Sequence, residues 1–166
     1  SLQNIQNKLD SFKVNNKKLL SYGYSPNFNV WIKFTLKNKT DKTIERILEY
    51  GNSITTEIEF YDINEQVYND KDGLFSIDKT RKTINPTFKI KIRANETKTY
   101  YIKTASYITP LIIKLNIWKY NTYYSKEIQH QVYLSLFFGA MIILTIYNLF
   151  IFFFTKDSSF NIKDKL

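Results

Sequence analysis

The residue types needed for the commonest catalytic and metal-binding sites are scarce in this chain. Its 166 residues include no Cys and one His, His130. Thiolate metal sites are therefore excluded, and a Ser-His-Asp triad is not favoured. The four glycines, at positions 23, 51, 73 and 139, are too far apart to form the glycine-rich loops that bind nucleotide phosphates. We therefore expect no metal, no cofactor and no enzymatic activity.

Carboxylates are the remaining candidates for acid–base chemistry. Glu57 and Glu59 lie two residues apart on one face of a predicted strand, and a glycosidase needs a pair of carboxylates across a cleft. A glycosidase is therefore kept as a third functional class, although neither residue stands out from its neighbours.

The Asp-Lys-Asp-Gly stretch at 70–73 suggests a calcium loop, but the twelfth position of that loop is Lys79, where Glu is required. We expect a turn at this stretch instead.

Aromatic side chains give the strongest indication of a binding site. Four of them are expected on strand faces that point away from the core, namely Trp31, Tyr61, Tyr101 and Trp118. Exposed rings beside polar groups are typical of sugar sites, because pyranose C–H groups stack on the ring. Packing of these rings against the N-terminal segment or a neighbouring domain is the alternative. Arg81 and Lys82, in the long connection 72–86, are expected to supply charged ligand contacts, since loops on rigid sheets often carry binding groups.

Alternation of apolar and polar residues from position 29 to position 118 predicts β-strands. It is clearest in segments 29–37, 54–61, 87–93, 99–104 and 111–118, and segment 43–50 is a further candidate. Turn-forming residues separate these segments, and no helical periodicity intervenes. The pattern predicts a mainly β fold, an antiparallel sandwich of two sheets. Near the start of the chain, Leu2, Ile5 and Leu9 could form a short helix and residues 11–14 a short strand.

Residues 132–154 form an uncharged, apolar stretch of 23 residues. As a helix it would be about 34 Å long, enough to cross a hydrocarbon core of about 30 Å. A buried core helix is the alternative, but a domain of this size can hardly surround such a helix on all sides. We therefore predict a C-terminal transmembrane α-helix. A stiff junction, 119–131, is expected to continue the helix and to carry interfacial tyrosines.

Two polar side chains, Thr145 and Asn148, lie on one stripe of the predicted transmembrane helix. Hydrocarbon cannot satisfy their hydrogen-bonding groups, so the stripe is expected to pack against another helix. Self-association of the chain through this helix is the expected consequence.

The net charge of +9 is carried mostly by the residues before 126. The lysines there are spread singly along the chain, among them Lys89, Lys91, Lys98 and Lys103. This spacing indicates solvent-exposed strand positions, and we expect no nucleic-acid partner. A basic face beside anionic lipid is the alternative.

Four sequence motifs occur in an order that resembles a known receptor family. They are WIKFTLKN at 31–38 after Gly-Tyr-Ser at 23–25, ANETKTYYIK at 94–103, LNIW at 115–118, and Tyr-Asn-Leu-Phe at 147–150 followed by Lys-Asp-Ser-Ser at 156–159. Over roughly residues 10–160, the chain resembles the bacterial seven-transmembrane receptors with diverse intracellular signalling modules (7TMR-DISM). It is similar to their second type of extracellular domain plus the first membrane helix.

The resemblance implies a jelly-roll-like sensor domain on the periplasmic side of the bacterial inner membrane, which binds a carbohydrate or similar small ligand and relays a signal. The implied divisions are a sensor domain at 1–118, a junction at 119–131, a transmembrane helix at 132–154 and a cytoplasmic tail at 155–166. The last six residues do not continue into a second helix, so the resemblance implies a truncated receptor. The alternative function is a membrane-anchored accessory protein whose sandwich binds another protein through a contiguous apolar patch.

Overall fold

The computed structural model describes residue 5 and residues 11–63, 68–76 and 81–160, with the side chains of 68, 69 and 156–160 left out of the description. The short helix expected around Leu2 and Leu9 lies outside the described residues. The chain divides into two compact units, Ser1–Tyr123 and Tyr124–Leu166.

The described residues form nine strands and then one long helix, which confirms the predicted mainly β class. In chain order the elements are β1 (Leu20–Tyr24), β2 (Val30–Lys37), β3 (Ile44–Tyr50), β4 (Glu57–Asp62), β5 (Tyr68–Asp72), β6 (Thr87–Ile92), β7 (Thr97–Ala105), β8 (Pro110–Ile113), β9 (Leu115–Lys119) and α1 (Tyr120–Phe160). They make one sheet in the order β2-β7-β4-β5, a second in the order β6-β3-β9, and a small pair, β1-β8. All the strand pairs are antiparallel.

The core lies between the four-stranded and the three-stranded sheet. Phe60 of β4 stacks on Phe88 of β6 with ring centroids 5.0 Å apart, and on Tyr100 of β7 at 5.5 Å. Ile90 and other apolar residues of β3, β6 and β8 complete the core. Each such side chain contributes about 1.5–3 kcal/mol by leaving water. The alternation of buried and exposed residues along β6 is the pattern from which the sequence predicted a sandwich.

The last predicted strand, 111–118, is two strands. The β-structure is interrupted at Lys114. The residues before it, β8, pair with β1, and the residues after it, β9, pair with β3. Alternation continues through the break, which explains why the sequence pattern alone shows one strand. At this interruption the chain passes from the two-stranded sheet to the three-stranded sheet. Which sheet each half joins depends on strand pairing, which the sequence pattern does not show.

Three further local predictions are wrong. Residues 70–72 belong to β5 and pair with β4, and the turn begins only at Gly73. Ile54 lies before β4 and is exposed, although alternation assigned it to the core. Residues 12–14 form no strand; the first strand among the described residues is β1, whose partner β8 is distant in sequence.

Lys98 is buried, contrary to the expectation that the lysines occupy exposed positions. Its side chain lies on the core face of β7, and Nζ is 3.2 Å from Oδ2 of Asp62. Ion pairing of this kind offsets the cost of removing an ammonium group from water. The signal was present in the sequence, because Lys98 is two residues from Tyr100 and therefore shares its face of the strand.

The helix α1 begins at Tyr120, directly after the last residue of β9. The expected continuation of the helix through the junction is therefore confirmed. From Tyr120 to Thr155 the helix is long and apolar enough to cross a membrane, and none of its apolar stretch is buried within the protein. Tyr123, expected at the membrane interface, is instead fully buried, with its ring 6.3 Å from that of Trp118.

Candidate functional site

Three of the four predicted aromatic residues share the outer face of the four-stranded sheet. The aromatic face is defined here as Trp31 on β2, Tyr101 and Lys103 on β7, and Tyr61 and Glu59 on β4. Strand register places Trp31 opposite Lys103, which in turn lies opposite Glu59. In the neighbouring row, Tyr101 lies opposite Tyr61. One row across the sheet thus holds a ring and two charged groups, and the neighbouring row holds the two tyrosine rings side by side.

The rings of the aromatic face pack on one another. Trp31 stacks on Tyr61 with ring centroids 5.7 Å apart and an interplanar angle of 23°. Phe12, from the segment before β1, contacts Tyr101 edge-on at 6.0 Å. Tyr61 and Tyr101 are consequently only 7% and 3% exposed, so the expectation that they are exposed is wrong, whereas Trp31 remains partly exposed. Contact with the N-terminal segment was the alternative expectation, and it holds for Tyr101.

Glu59 is the charged centre of the aromatic face. Its carboxylate accepts a hydrogen bond from the hydroxyl of Tyr61 and lies 3.3 Å from the ammonium nitrogens of both Lys71 and Lys103. Burial alone would raise the pKa of Glu59, but these three partners together hold it below its ordinary value. Burial and the adjacent carboxylate raise the pKa of Tyr61. At neutral pH the Glu59 side chain is therefore ionised, and the Tyr61 hydroxyl keeps its proton and donates it to that carboxylate.

Arg81 and Lys82, the predicted charged contacts, differ in their surroundings. Nη1 of Arg81 donates a hydrogen bond to Oδ1 of Asp72 at 2.8 Å, and this pair is largely buried. Arg81 therefore anchors one end of loop 81–86 to the last residue of β5. Lys82 is exposed. Their predicted role as ligand contacts stays a prediction.

Trp118 is separate from the other three aromatic residues, because it lies on β9 in the three-stranded sheet. Its indole N–H donates to Oε2 of Glu49 at 2.7 Å. Glu49 was expected on an exposed strand face, like Glu45, Glu57 and Glu59, and was not singled out. It is nevertheless 1% exposed. Its burial depends on what packs over the outer face of β3, which alternation cannot reveal.

The end of the sandwich that holds the start of β2 carries a group of exposed apolar side chains. The apolar loop end is defined here as Tyr24, Ile54, Leu74, Phe75, Tyr107 and Ile108. Hydrogen bonds join the loops that carry these residues: Thr109 Oγ1 donates to Ile54 O at 2.7 Å, and Phe75 N donates to Thr56 O at 3.1 Å. Contiguous exposed apolar surface, unlike single exposed apolar residues, is characteristic of contact with another molecule.

The predicted helix-packing residues have different hydrogen bonding. Thr145 Oγ1 donates to the carbonyl oxygen of Met141 at 2.9 Å, so its hydroxyl is satisfied within the helix. Within the described part of the chain, the exposed side-chain amide of Asn148 has no hydrogen-bond partner. The same described residues hold no group of three or more His, Asp or Glu side chains that could bind a metal ion.

Comparison with known protein families places the strands in one family. The family model described as 7TMR-DISM extracellular 2 matches residues 1–119. This match covers all nine strands and confirms the resemblance found in the sequence motifs. No curated protein matches the chain.

Proposed function

Because this chain belongs to the family of 7TMR-DISM extracellular 2 domains, we propose that it is the ligand-sensing module of a membrane signalling receptor. Family membership and the apolar helix support a membrane protein with an N-terminal extracellular domain. The proposal further assigns the sandwich to the periplasmic side of a bacterial inner membrane. The ligand is a small molecule of the carbohydrate class.

The observation that carries the ligand assignment is the arrangement around Trp31. One side of its ring rests on Tyr61, so the indole is held in a fixed orientation while part of it remains open to solvent. Lys103 lies opposite Trp31 across the strand pair, where it could bond a hydroxyl or carboxylate of a sugar stacked on the indole. A fixed ring with charged neighbours loses little conformational freedom when a sugar binds.

Thermal-shift screening of the full chain in lipid nanodiscs against neutral and acidic sugars tests this proposal, because a ligand that binds only the folded state raises its melting temperature. For a sugar found in this way, Trp31→Ala should weaken binding by about tenfold or more, since a central Trp commonly contributes over 1.4 kcal/mol. Phe28→Ala is the control, because it removes an exposed ring that contacts Tyr22 outside the aromatic face, and it should leave the affinity unchanged. Unchanged affinity in Trp31→Ala would locate the site elsewhere.

A membrane-anchored accessory protein is the second candidate function, and the apolar loop end favours it. Photo-crosslinking from Phe75 in native membranes, compared with crosslinking from exposed Lys89 on the outer face of β6, tests this function. A single protein crosslinked from Phe75 but not from Lys89 would favour the accessory function. No crosslinked product from either position would remove the support that the apolar loop end gives.

A further inference from the structure

Glu49 is a buried carboxylate that binds groups from two separate parts of the chain. Asn85 Nδ2, from loop 81–86, donates to Oε1 at 2.8 Å. On β9, Asn116 Nδ2 and Trp118 Nε1 donate to Oε2 at 3.1 Å and 2.7 Å. Each of these partners is an N–H donor, the complement of the acceptor oxygens of a carboxylate.

Because Glu49 is buried, the hydrogen bonds to its carboxylate are strong, and losing one of them is costly. A carboxylate removed from water is costly unless donors replace the lost hydration, and hydrogen bonds to it are shorter and stronger than those between neutral groups. If loop 81–86 moved away, Oε1 would lose the Asn85 donor in a region closed to solvent. The position of the loop and the position of β9 are therefore not independent.

The β9 end of this network lies at the start of the membrane helix. Trp118 is two residues before Tyr120, and no loop separates β9 from α1. The Trp118 ring packs beside Tyr123, which is fully buried in the first turn of the helix. A displacement of Trp118 therefore changes the packing of that first turn directly.

The loop end of the network reaches the sheet that carries the aromatic face. Arg81, at the start of loop 81–86, is bonded to Asp72 at the end of β5. The β5 strand pairs with β4, which carries Glu59 and Tyr61. The described contacts thus run from the four-stranded sheet through the loop to Glu49 and on to the helix start.

We propose that Glu49 is a positioning residue that couples loop 81–86 to the strand–helix junction at residues 116–123. The coupling is a property of the ligand-free protein, so it holds whether or not a sugar is the ligand. A contiguous set of contacts is not sufficient for coupling, and a measured interaction between the two ends is required.

Hydrogen exchange of the full chain in lipid nanodiscs measures this interaction. Asn85→Ala changes only the loop, yet it should speed amide exchange in residues 116–123 by about tenfold or more, as expected for loss of a hydrogen bond to a charged group. Exchange in β2 and β7 should not change. Asn52→Ala is the matched control, because Asn52 is a loop amide bonded to the carbonyls of Pro110 and Ile112 and not to Glu49. It should leave residues 116–123 unaffected.

The isosteric variant Glu49→Gln tests whether the carboxylate itself carries the coupling. In that background, Asn85→Ala should cause no further change in residues 116–123. A second readout is the emission of Trp118, the only tryptophan left in Trp31→Phe; Asn85→Ala should shift that emission. Unchanged exchange at 116–123 in Asn85→Ala, or equal acceleration in β2 and β7, would overturn the proposal. If Glu49→Gln does not fold, the comparison of Asn85→Ala with Asn52→Ala alone decides.

Discussion

At the scale of single residues, the molecule places its buried charges where each has a partner. Lys98 lies beside Asp62 and Glu49 lies among amide and indole donors. Glu59, at the centre of the aromatic face, holds Tyr61, Lys71 and Lys103 around one carboxylate. Removing one member of such a group leaves the others without compensation, so single substitutions there should have measurable effects.

Glu59 should make the stability of the sandwich depend on pH. Its pKa in the folded protein is lowered from the ordinary value of 4.5, so its contribution is present above that pH and is lost as the pH falls through the lower folded value. Glu59→Gln should therefore be less stable than wild type at pH 7, and the difference should shrink in acid. Urea unfolding between about pH 7 and pH 3 measures this difference. Glu45→Gln, at an exposed position 3.9 Å from Lys91, should behave as wild type; an equal loss in both variants would contradict the role of Glu59.

At the scale of elements, loop 81–86 is held by polar contacts that include Arg81 with Asp72 and Asn85 with Glu49. The loop is anchored by Arg81 and Asp72 at its first residue. In its uncharged stretch, residues 132–154, the helix carries one side-chain amide, that of Asn148, and this amide has no hydrogen-bond partner within the described residues. The Arg81–Asp72 pair and the amide of Asn148 each lead to a prediction about the element that carries them.

Arg81→Ala should destabilise the protein whether or not Arg81 contacts a ligand. Removing one partner of a largely buried ion pair leaves the carboxylate of Asp72 without its guanidinium, which costs about 3–5 kcal/mol when a pair is fully buried and less here. Lys89→Ala, at an exposed position on β6, should change stability by less than about 0.5 kcal/mol. Unfolding free energies of both variants, measured by denaturant titration, compare the two. Equal stability of the variants would show that the ion pair does not anchor the loop.

Asn148→Leu should weaken self-association of the chain in membranes. The amide of Asn148 can find a partner in lipid only on another helix, although interhelical hydrogen bonds average only about 0.6 kcal/mol. Thr145→Val is the matched control on the same stripe, because the Thr145 hydroxyl is already bonded within its own helix. Oligomer populations in detergent, by sedimentation or crosslinking, compare the three proteins. Identical populations in wild type and Asn148→Leu would show that this stripe has no helical partner.

At the scale of the whole molecule, the sandwich and the apolar helix differ in surface character, because the apolar stretch of the helix is not buried within the protein. The family match and the apolar helix together support an extracellular sandwich, and α1 continues directly from β9. A one-Cys labelling experiment is straightforward because the chain contains no Cys. It tests which side of the membrane each end occupies.

A Cys introduced at Ala94 should react with a membrane-impermeant thiol reagent in spheroplasts, whereas a Cys at Ser158 should react only after the membrane is permeabilised. Ala94 is exposed, and it is preferable to the adjacent Asn95, whose positive φ of 55° suits Asn better than Cys. Lysines at positions 156, 163 and 165 support a cytoplasmic location for the C-terminal side. Protection of the Cys at Ala94 in intact spheroplasts would reverse the proposed orientation.

The sequence by itself determined the class of the fold, its family and the long apolar helix at the C-terminal side. Period-two alternation in segments such as 29–37 and 87–93 and the uncharged stretch 132–154 are local properties, which any folded state must respect. The short motifs that indicated the family are likewise readable without coordinates.

Tertiary structure decided which of the predicted site residues lie together. Alternation assigned Trp31, Tyr61, Tyr101 and Trp118 to outward faces, but strand order put only the first three on one sheet. Packing against Phe12 helps to bury Tyr101, and the stacked indole of Trp31 helps to bury Tyr61. The burial of Glu49 was equally invisible in the sequence, because its donors come from residues 85, 116 and 118. Contacts between residues so distant along the chain are fixed by the pairing of strands and the packing over their faces, which no local pattern encodes.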